Sequence, residues 1–147
     1  MEKISELIEE IGQTIYNNVP VENWSFVELD VCMIETYNEI TATYFDTAGN
    51  KGKSFNPNYP NSPVDKRINN LLINLRESMY SVSPNQGAWF SLQMKITEDG
   101  DFDINYNYDN EPNFEMTPEN EEYKIDLKKF PREESLVPIW LKEILNS

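Results

Sequence analysis

Oxygen-bearing side chains alternate with large apolar ones over residues 101–109, which read DFDINYNYD. Because successive side chains of a β-strand point to opposite faces, this alternation predicts a strand with one polar and one apolar face. The polar face would carry Asp101, Asp103, Asn105, Asn107 and Asp109. Such a row is open to four interpretations: a metal site, a carboxylate catalyst, a partner-binding surface and a plain solvated face.

The metal interpretation fails on geometry. Asp101, Asp103 and Asn105 occupy the first three ligand positions of a calcium loop, but Tyr106 stands where that loop needs glycine. Pro112 stands where a bidentate glutamate should close the coordination shell. An extended strand also spaces these oxygens about 7 Å apart, too far for one ion. No glycine cluster has the spacing of a phosphate loop, so we expect neither a metal nor a cofactor.

Catalysis has few residues to draw on. The chain has no histidine, which excludes Ser-His-Asp and Cys-His catalysis within it. Its single cysteine, Cys32, lies in a strand pattern without a neighbouring base and is predicted to be a small, partly buried filler. Asp101 and Asp103 have the separation of a glycosidase pair, but an exposed sheet face would not raise a carboxyl pKa. We therefore expect that the protein is not an enzyme. A carboxylate-dependent hydrolase is the less favoured alternative function.

The composition is strongly acidic. The net charge of -14 comes from 26 acidic and 12 basic residues. It disfavours direct binding to nucleic acid or to anionic membranes and favours basic partners. One cysteine cannot form an intrachain disulfide, the N-terminus lacks a secretory pattern, and no apolar run reaches the roughly 20 residues of a membrane span. A single cytoplasmic domain over residues 1–147 is expected.

Apolar periodicity divides the chain into helices and strands. Helices are predicted near 4–15, 63–79, 118–130 and 135–147, and strands near 24–34, 40–45, 90–96 and 102–108. Residues 46–62, rich in proline and glycine, are interpreted as a long surface loop. The predicted order is α-β-β-α-β-β-α-α. This is an α+β fold in which two hairpins form a four-stranded antiparallel sheet with helices packed on one face.

The register of the second hairpin follows from its turn. A two-residue turn would set Ile96 opposite Asp103, an apolar side chain against a charged one. A three-residue loop over 98–100 sets Ile96 opposite Phe102 instead, and Gly100 supplies the left-handed residue that this loop needs. We predict the three-residue loop.

Three segments of the C-terminal third resemble a known family. They are DFDINYNYDNEP at 101–112, DLKKFPR at 126–132 and VPIWLKEIL at 137–145. Together with the N-terminal helix and the two hairpins, they resemble the YezG/EsaG family of bacterial antitoxins. The resemblance implies a cytoplasmic immunity protein of Gram-positive bacteria that binds a toxin exported by the type VII secretion system. A nuclease domain is the expected kind of toxin. An acidic binding module without a toxin partner is the alternative.

The polar row and its surroundings are the predicted partner-binding surface. Trp89, which alternation places on the same face as Ser91, Gln93 and Lys95, would add apolar contact beside the row. Glu111 and Glu115 of the following acidic segment would extend it. The full predicted set is Trp89, Asp101, Asp103, Asn105, Asn107, Asp109, Glu111 and Glu115. Carboxylates in this set would meet arginine and lysine of a basic toxin.

Overall fold

One antiparallel sheet of five strands forms the centre of the computed structural model, which describes residues 2–147. The strands are β1 (Phe26–Ile34), β2 (Tyr37–Phe45), β3 (Lys51–Phe55), β4 (Ser91–Thr97) and β5 (Phe102–Asn107). They lie in the order β3-β2-β1-β4-β5, so β3 and β5 are the edges. The helices are α1 (Glu2–Asn17), α2 (Ile68–Val82), α3 (Asn120–Lys129) and α4 (Ile139–Leu145). The fold is α+β as predicted, but the predicted four-stranded sheet is wrong.

The additional strand, β3, comes from the segment predicted to be a loop. Asp46 closes a tight turn, since its Oδ1 accepts the N–H groups of Ala48 and Asn50, and Gly49 has a φ of 83°. The chain then returns along β2 as a short edge strand. Gly52 lies under the ring of Tyr44, where an added Cβ would come within 2.3 Å of a ring carbon. Gly49 thus permits the turn, and Gly52 permits the close packing of an edge strand, whereas the sequence pattern suggested a loop.

The main core lies between α1, α2 and one face of the sheet, which we call the core face. Alternate residues of β1, β2, β4 and β5 project into it, and α1 and α2 cover it with their apolar stripes. The predicted hairpin register is confirmed: Ile96 is opposite Phe102, Met94 is opposite Ile104, and Gly100 has a φ of 87°. The opposite side of the sheet is called the outer face below.

A second apolar cluster forms at the end of the sheet where β1 turns into β2. It joins Ile34 and Phe90 to residues of the C-terminal region, with Phe114, Tyr123 and Leu141 buried in it. The helices α3 and α4 pack here, at the end of the sheet rather than over the core face, and α3 meets α2 through the side chains described below. The prediction that all helices pack on one face is therefore wrong. The reason is that Ile34 and Phe90 need their own apolar cover, which the C-terminal helices provide together with Phe114.

A buried ion pair connects the two clusters. Arg76 of α2 donates to both carboxylate oxygens of Asp126 in α3, at 2.7 and 3.0 Å, and the two side chains are 2% and 4% exposed. The Nε of Arg76 donates to the carbonyl of Trp89, while Asp126 also accepts the N–H of Glu35. The guanidinium lies over the ring of Phe130 at 4.9 Å. These bonds fix α3 against α2 and the β1–β2 turn.

Candidate functional site

The outer face presents polar side chains in rows that cross three strands. Antiparallel pairing places one residue each of β1, β4 and β5 side by side in a row. The three rows are Glu28, Lys95 and Asp103; Asp30, Gln93 and Asn105; and Cys32, Ser91 and Asn107. Neighbouring rows are about 7 Å apart along the strands. The first two rows are open to solvent and combine three carboxylates with one lysine, so they suit a partner that offers cationic groups.

The polar residues predicted along the segment 101–109 divide into an exposed group and a group that stabilises the fold. Asp101, Asp103 and Asn105 are exposed, and within residues 2–147 their side chains make no hydrogen bond or ion pair. Asn107 is committed to the fold, because its side chain bonds Ser91 and both backbone groups of Asn110. The free carboxylates are thus concentrated at the Gly100 end of β5.

Asp109 lies past the end of β5 and serves the second cluster. Its carboxylate accepts from Arg132 at 3.3 Å, and its carbonyl accepts from Trp140 Nε1 at 2.8 Å. The Arg132 side chain is only 1% exposed and also donates to the carbonyls of Tyr108 and Ala88. Burial lowers the pKa of this guanidinium, while Asp109 opposes the shift. The Asp109 carboxylate, itself 77% exposed, is thus the acid that pairs with this buried cation.

Trp89 is not on the outer face. It is fully buried in the main core and packs against Tyr106, with ring centroids 6.1 Å apart. The N–H of Phe90 donates to the carbonyl of Asn107, which is already the cross-strand partner of Ser91. Two residues thus face one residue of β5, as in a β-bulge, and the alternation does not continue back to Trp89. The prediction that Trp89 shares the face of Ser91 is wrong.

A loop over residues 110–118 lies against the outer face and is held there by Glu39 of β2. The Glu39 carboxylate accepts the N–H groups of Glu115 and Met116, at 2.8 and 3.0 Å, and the hydroxyl of Tyr37 at 2.6 Å. Desolvation pushes the pKa of Glu39 up, but these three bonds outweigh it and lower the pKa below its ordinary value. The bond to Glu39 raises the pKa of Tyr37 to about 12. Glu39 was not predicted as a site residue.

The loop and the sheet enclose a shallow polar groove. Its floor is made by the second and third rows, and Asn113 of the loop forms its wall. A continuation of the groove passes Glu39 and Lys51 of the neighbouring strands. Glu111 and Glu115 are both exposed on this loop. Cys32 lies in the floor, where burial and the nearby Glu39 charge raise its thiol pKa, so it is a poor nucleophile at neutral pH.

The outer-face residues that the predicted set missed are Glu28 and Asp30 of β1. Their alternation with Val27, Leu29 and Val31 is visible in the sequence. The strand order was not predictable from the sequence. Because β4 lies between β1 and β5, two acidic strand faces become one surface. Strand order depends on the tertiary fold and has no local signal.

Comparison with known proteins places the chain in a family. None of the helices within residues 2–147 has the length and apolar character to cross a membrane. No curated protein matches the sequence significantly. The sequence profile described as immunity protein YezG-like matches residues 4–136, which is most of the chain. The chain therefore belongs to the YezG-like family of immunity proteins, a membership that gives it an immunity role and implies a toxin as its partner.

Proposed function

We propose that this chain neutralises its toxin by direct, stoichiometric binding in the cytoplasm and that the toxin domain is a nuclease exported by the type VII system of a Gram-positive bacterium. Family membership supports a toxin partner, and the surface chemistry supports a basic one. Nucleases that act on polyanions carry basic surfaces, and a net charge of -14 attracts such a surface from a distance. Binding needs no turnover by the immunity protein itself.

The observation that carries the proposal is the set of uncommitted carboxylates on the outer face. Asp101 and Asp103 have no internal partner within residues 2–147, and Glu28 lies two strands away in the same row as Asp103. A carboxylate that makes no hydrogen bond or ion pair inside the fold is available for charge-assisted hydrogen bonds with arginine or lysine of a partner. Such pairs raise the association rate as well as the specificity of binding.

The test is a titration of toxin activity. The C-terminal domain of a toxin encoded beside the gene for this chain is purified, and its nuclease activity is measured as the chain is added. We expect activity to fall linearly to zero at equimolar ratio. Residual activity at any excess of the chain, or absence of a complex in size-exclusion chromatography, would contradict direct neutralisation.

The surface is tested by charge reversal. The double variant Asp101→Lys/Asp103→Lys should keep its fold and associate with the toxin domain about tenfold more slowly at low salt, with a weaker dependence on salt. Asp109 is left unchanged because it balances Arg132. Glu6→Lys/Glu9→Lys makes the same change in net charge on the exposed side of α1 and is the matched control. Equal rates for the two variants would place the interface elsewhere.

A further inference from the structure

The two edges of the sheet differ in how they are protected. The β3 edge is short, carries Lys51 and Lys53, and shifts register between Thr43 and Phe45 of its neighbour β2. Lysines and irregular register are devices that prevent an edge from pairing with another chain. The β5 edge differs: its register with β4 is regular from Phe102 to Asn107, it contains neither proline nor lysine, and its one charged residue is Asp103, which repels acidic strands but not basic ones.

The hydrogen-bond pattern of the hairpin identifies the backbone groups on the free edge of β5. Thr97 donates its N–H to the carbonyl of Asp101, so these two form a hydrogen-bonded pair. In an antiparallel ladder such pairs alternate with non-bonded ones. Asp103 and Asn105 therefore bond to β4, whereas the N–H and C=O groups of the residues between them point away from the sheet. The outward groups are those of Phe102, Ile104 and Tyr106.

Nothing within residues 2–147 occupies these outward groups. None of them takes part in a backbone bond outside the regular ladders or in a side-chain hydrogen bond. The Phe102 ring, which rests on Gly12 of α1, is 37% exposed and borders the edge on the core-face side. Asp101 and Asp103 border it on the outer-face side. The edge thus offers hydrogen bonds, apolar contact on one side and carboxylates on the other.

We propose that β5 is a docking edge, on which an extended segment of the toxin adds a sixth strand to the sheet. This proposal rests on the proposed function and specifies its mode. The segment would place basic side chains at alternate positions, opposite Asp101 and Asp103, and apolar ones next to Phe102. A second copy of this chain is the less suitable occupant, because two chains of charge -14 repel each other and the edge has no cation to offer.

The edge is tested with a synthetic peptide of about seven residues, a typical strand length, in which lysine and valine alternate. Amide exchange of the ¹⁵N-labelled full chain is followed by NMR as this peptide is added to millimolar concentration. We expect exchange at Phe102, Ile104 and Tyr106 to slow about tenfold or more, because new hydrogen bonds form there. Exchange at Asp103 and Asn105, which already bond β4, should change little.

Two controls separate the alternatives. A peptide with glutamate in place of lysine should protect none of these amides, and Asp101→Lys/Asp103→Lys should lose protection by the lysine peptide. The proposal is overturned by unchanged exchange at the three outward amides, by equal protection from both peptides, or by protection that depends on chain concentration alone. If the edge fails but the toxin is still inhibited at equimolar ratio, only the docking mode is wrong. If no toxin complex forms, the proposed function fails whatever the peptide does.

Discussion

The buried pair of Arg76 and Asp126 gives the sharpest test of how the two clusters are held together. Asp126→Asn keeps the size of the side chain but removes its charge. It leaves the Arg76 guanidinium, which is 2% exposed, without a counterion. The new amide NH₂ must also face an Arg76 N–H in either orientation, since Oδ1 accepts from Arg76 Nη1 and the Glu35 N–H and Oδ2 accepts from Arg76 Nη2.

The expected cost follows from these contacts. Breaking a buried pair by removing one partner costs about 3–5 kcal/mol, because an uncompensated charge stays in the interior. For a chain of this length that corresponds to a fall in Tm of roughly 10 °C. The double variant Arg76→Met/Asp126→Leu removes both charges and leaves only the Trp89 carbonyl and the Glu35 N–H unbonded, at about 1–3 kcal/mol each. It should be more stable than the sum of its single variants predicts.

Urea unfolding of the wild type, the single variants Arg76→Met and Asp126→Leu, and the double variant gives the coupling energy as a double-mutant cycle. A coupling of about 2 kcal/mol or more is expected. If Asp126→Asn costs less than about 1 kcal/mol with an unchanged m-value, the pair is hydrated in solution and does not hold α3 against α2. Glu121→Gln, which breaks the exposed pair with Lys124, is the matched control and should cost well under 1 kcal/mol.

Two further predictions concern the C-terminal region. Trp140→Ala should lower the free energy of unfolding, measured in urea, by about 3 kcal/mol, because the ring packs on Phe90 and Tyr123 with centroids 5.3 and 5.8 Å away. Trp140→Phe should lose mainly the hydrogen bond to the Asp109 carbonyl, about 1 kcal/mol. Since the folded-state pKa of Glu39 is lowered, its stabilisation of the loop is present above the ordinary value of 4.5 and is lost as pH falls through the folded pKa. NMR shifts of the Glu115 and Met116 amides should report this transition below pH 4.5, and Glu39→Gln should abolish it.

Local signals in the sequence predicted the parts of the fold that depend on local geometry. The register of the β4–β5 hairpin is one such part, because Gly100 permits one loop type and the apolar residues of both strands must share a face. The outward orientation of Asp103 and Asn105 followed from the same alternation. The core position of the α1 stripe was predicted from helical spacing alone.

The errors occur where a distant contact overrides the local pattern. Gly52 reads as a loop residue, but the ring of Tyr44 in β2 occupies the space a side chain would need. Trp89 lies in the main core and Phe90 in the second cluster because the chain bulges at Phe90 and Ser91, which both face Asn107, sixteen residues beyond Ser91 in the hairpin. The ion pair of Arg76 joins residues fifty positions apart, and neither residue shows in its own segment that it is buried.

Residues from all three segments that resemble the family meet at or beside the second cluster. Asp109 comes from the first segment, Asp126 and Arg132 from the second, and Trp140 from the third. In the folded chain Arg132 and Trp140 both bond Asp109, and Asp126 bonds Arg76. These residues are committed to holding the C-terminal helices at the end of the sheet. In this chain, part of each of the three segments thus serves the scaffold.

A surface that must fit one toxin has to be built from residues that the scaffold does not need. On this chain the outward carboxylates of Asp101 and Asp103 satisfy that condition, because they make no hydrogen bond or ion pair within residues 2–147. The outward backbone groups of β5 supply binding that is independent of side chains, and the bordering side chains select the partner. Substitutions at Asp101 and Asp103 should therefore change which toxin is bound while leaving stability nearly unchanged, whereas substitutions at the buried Arg132 should lower stability for every toxin alike.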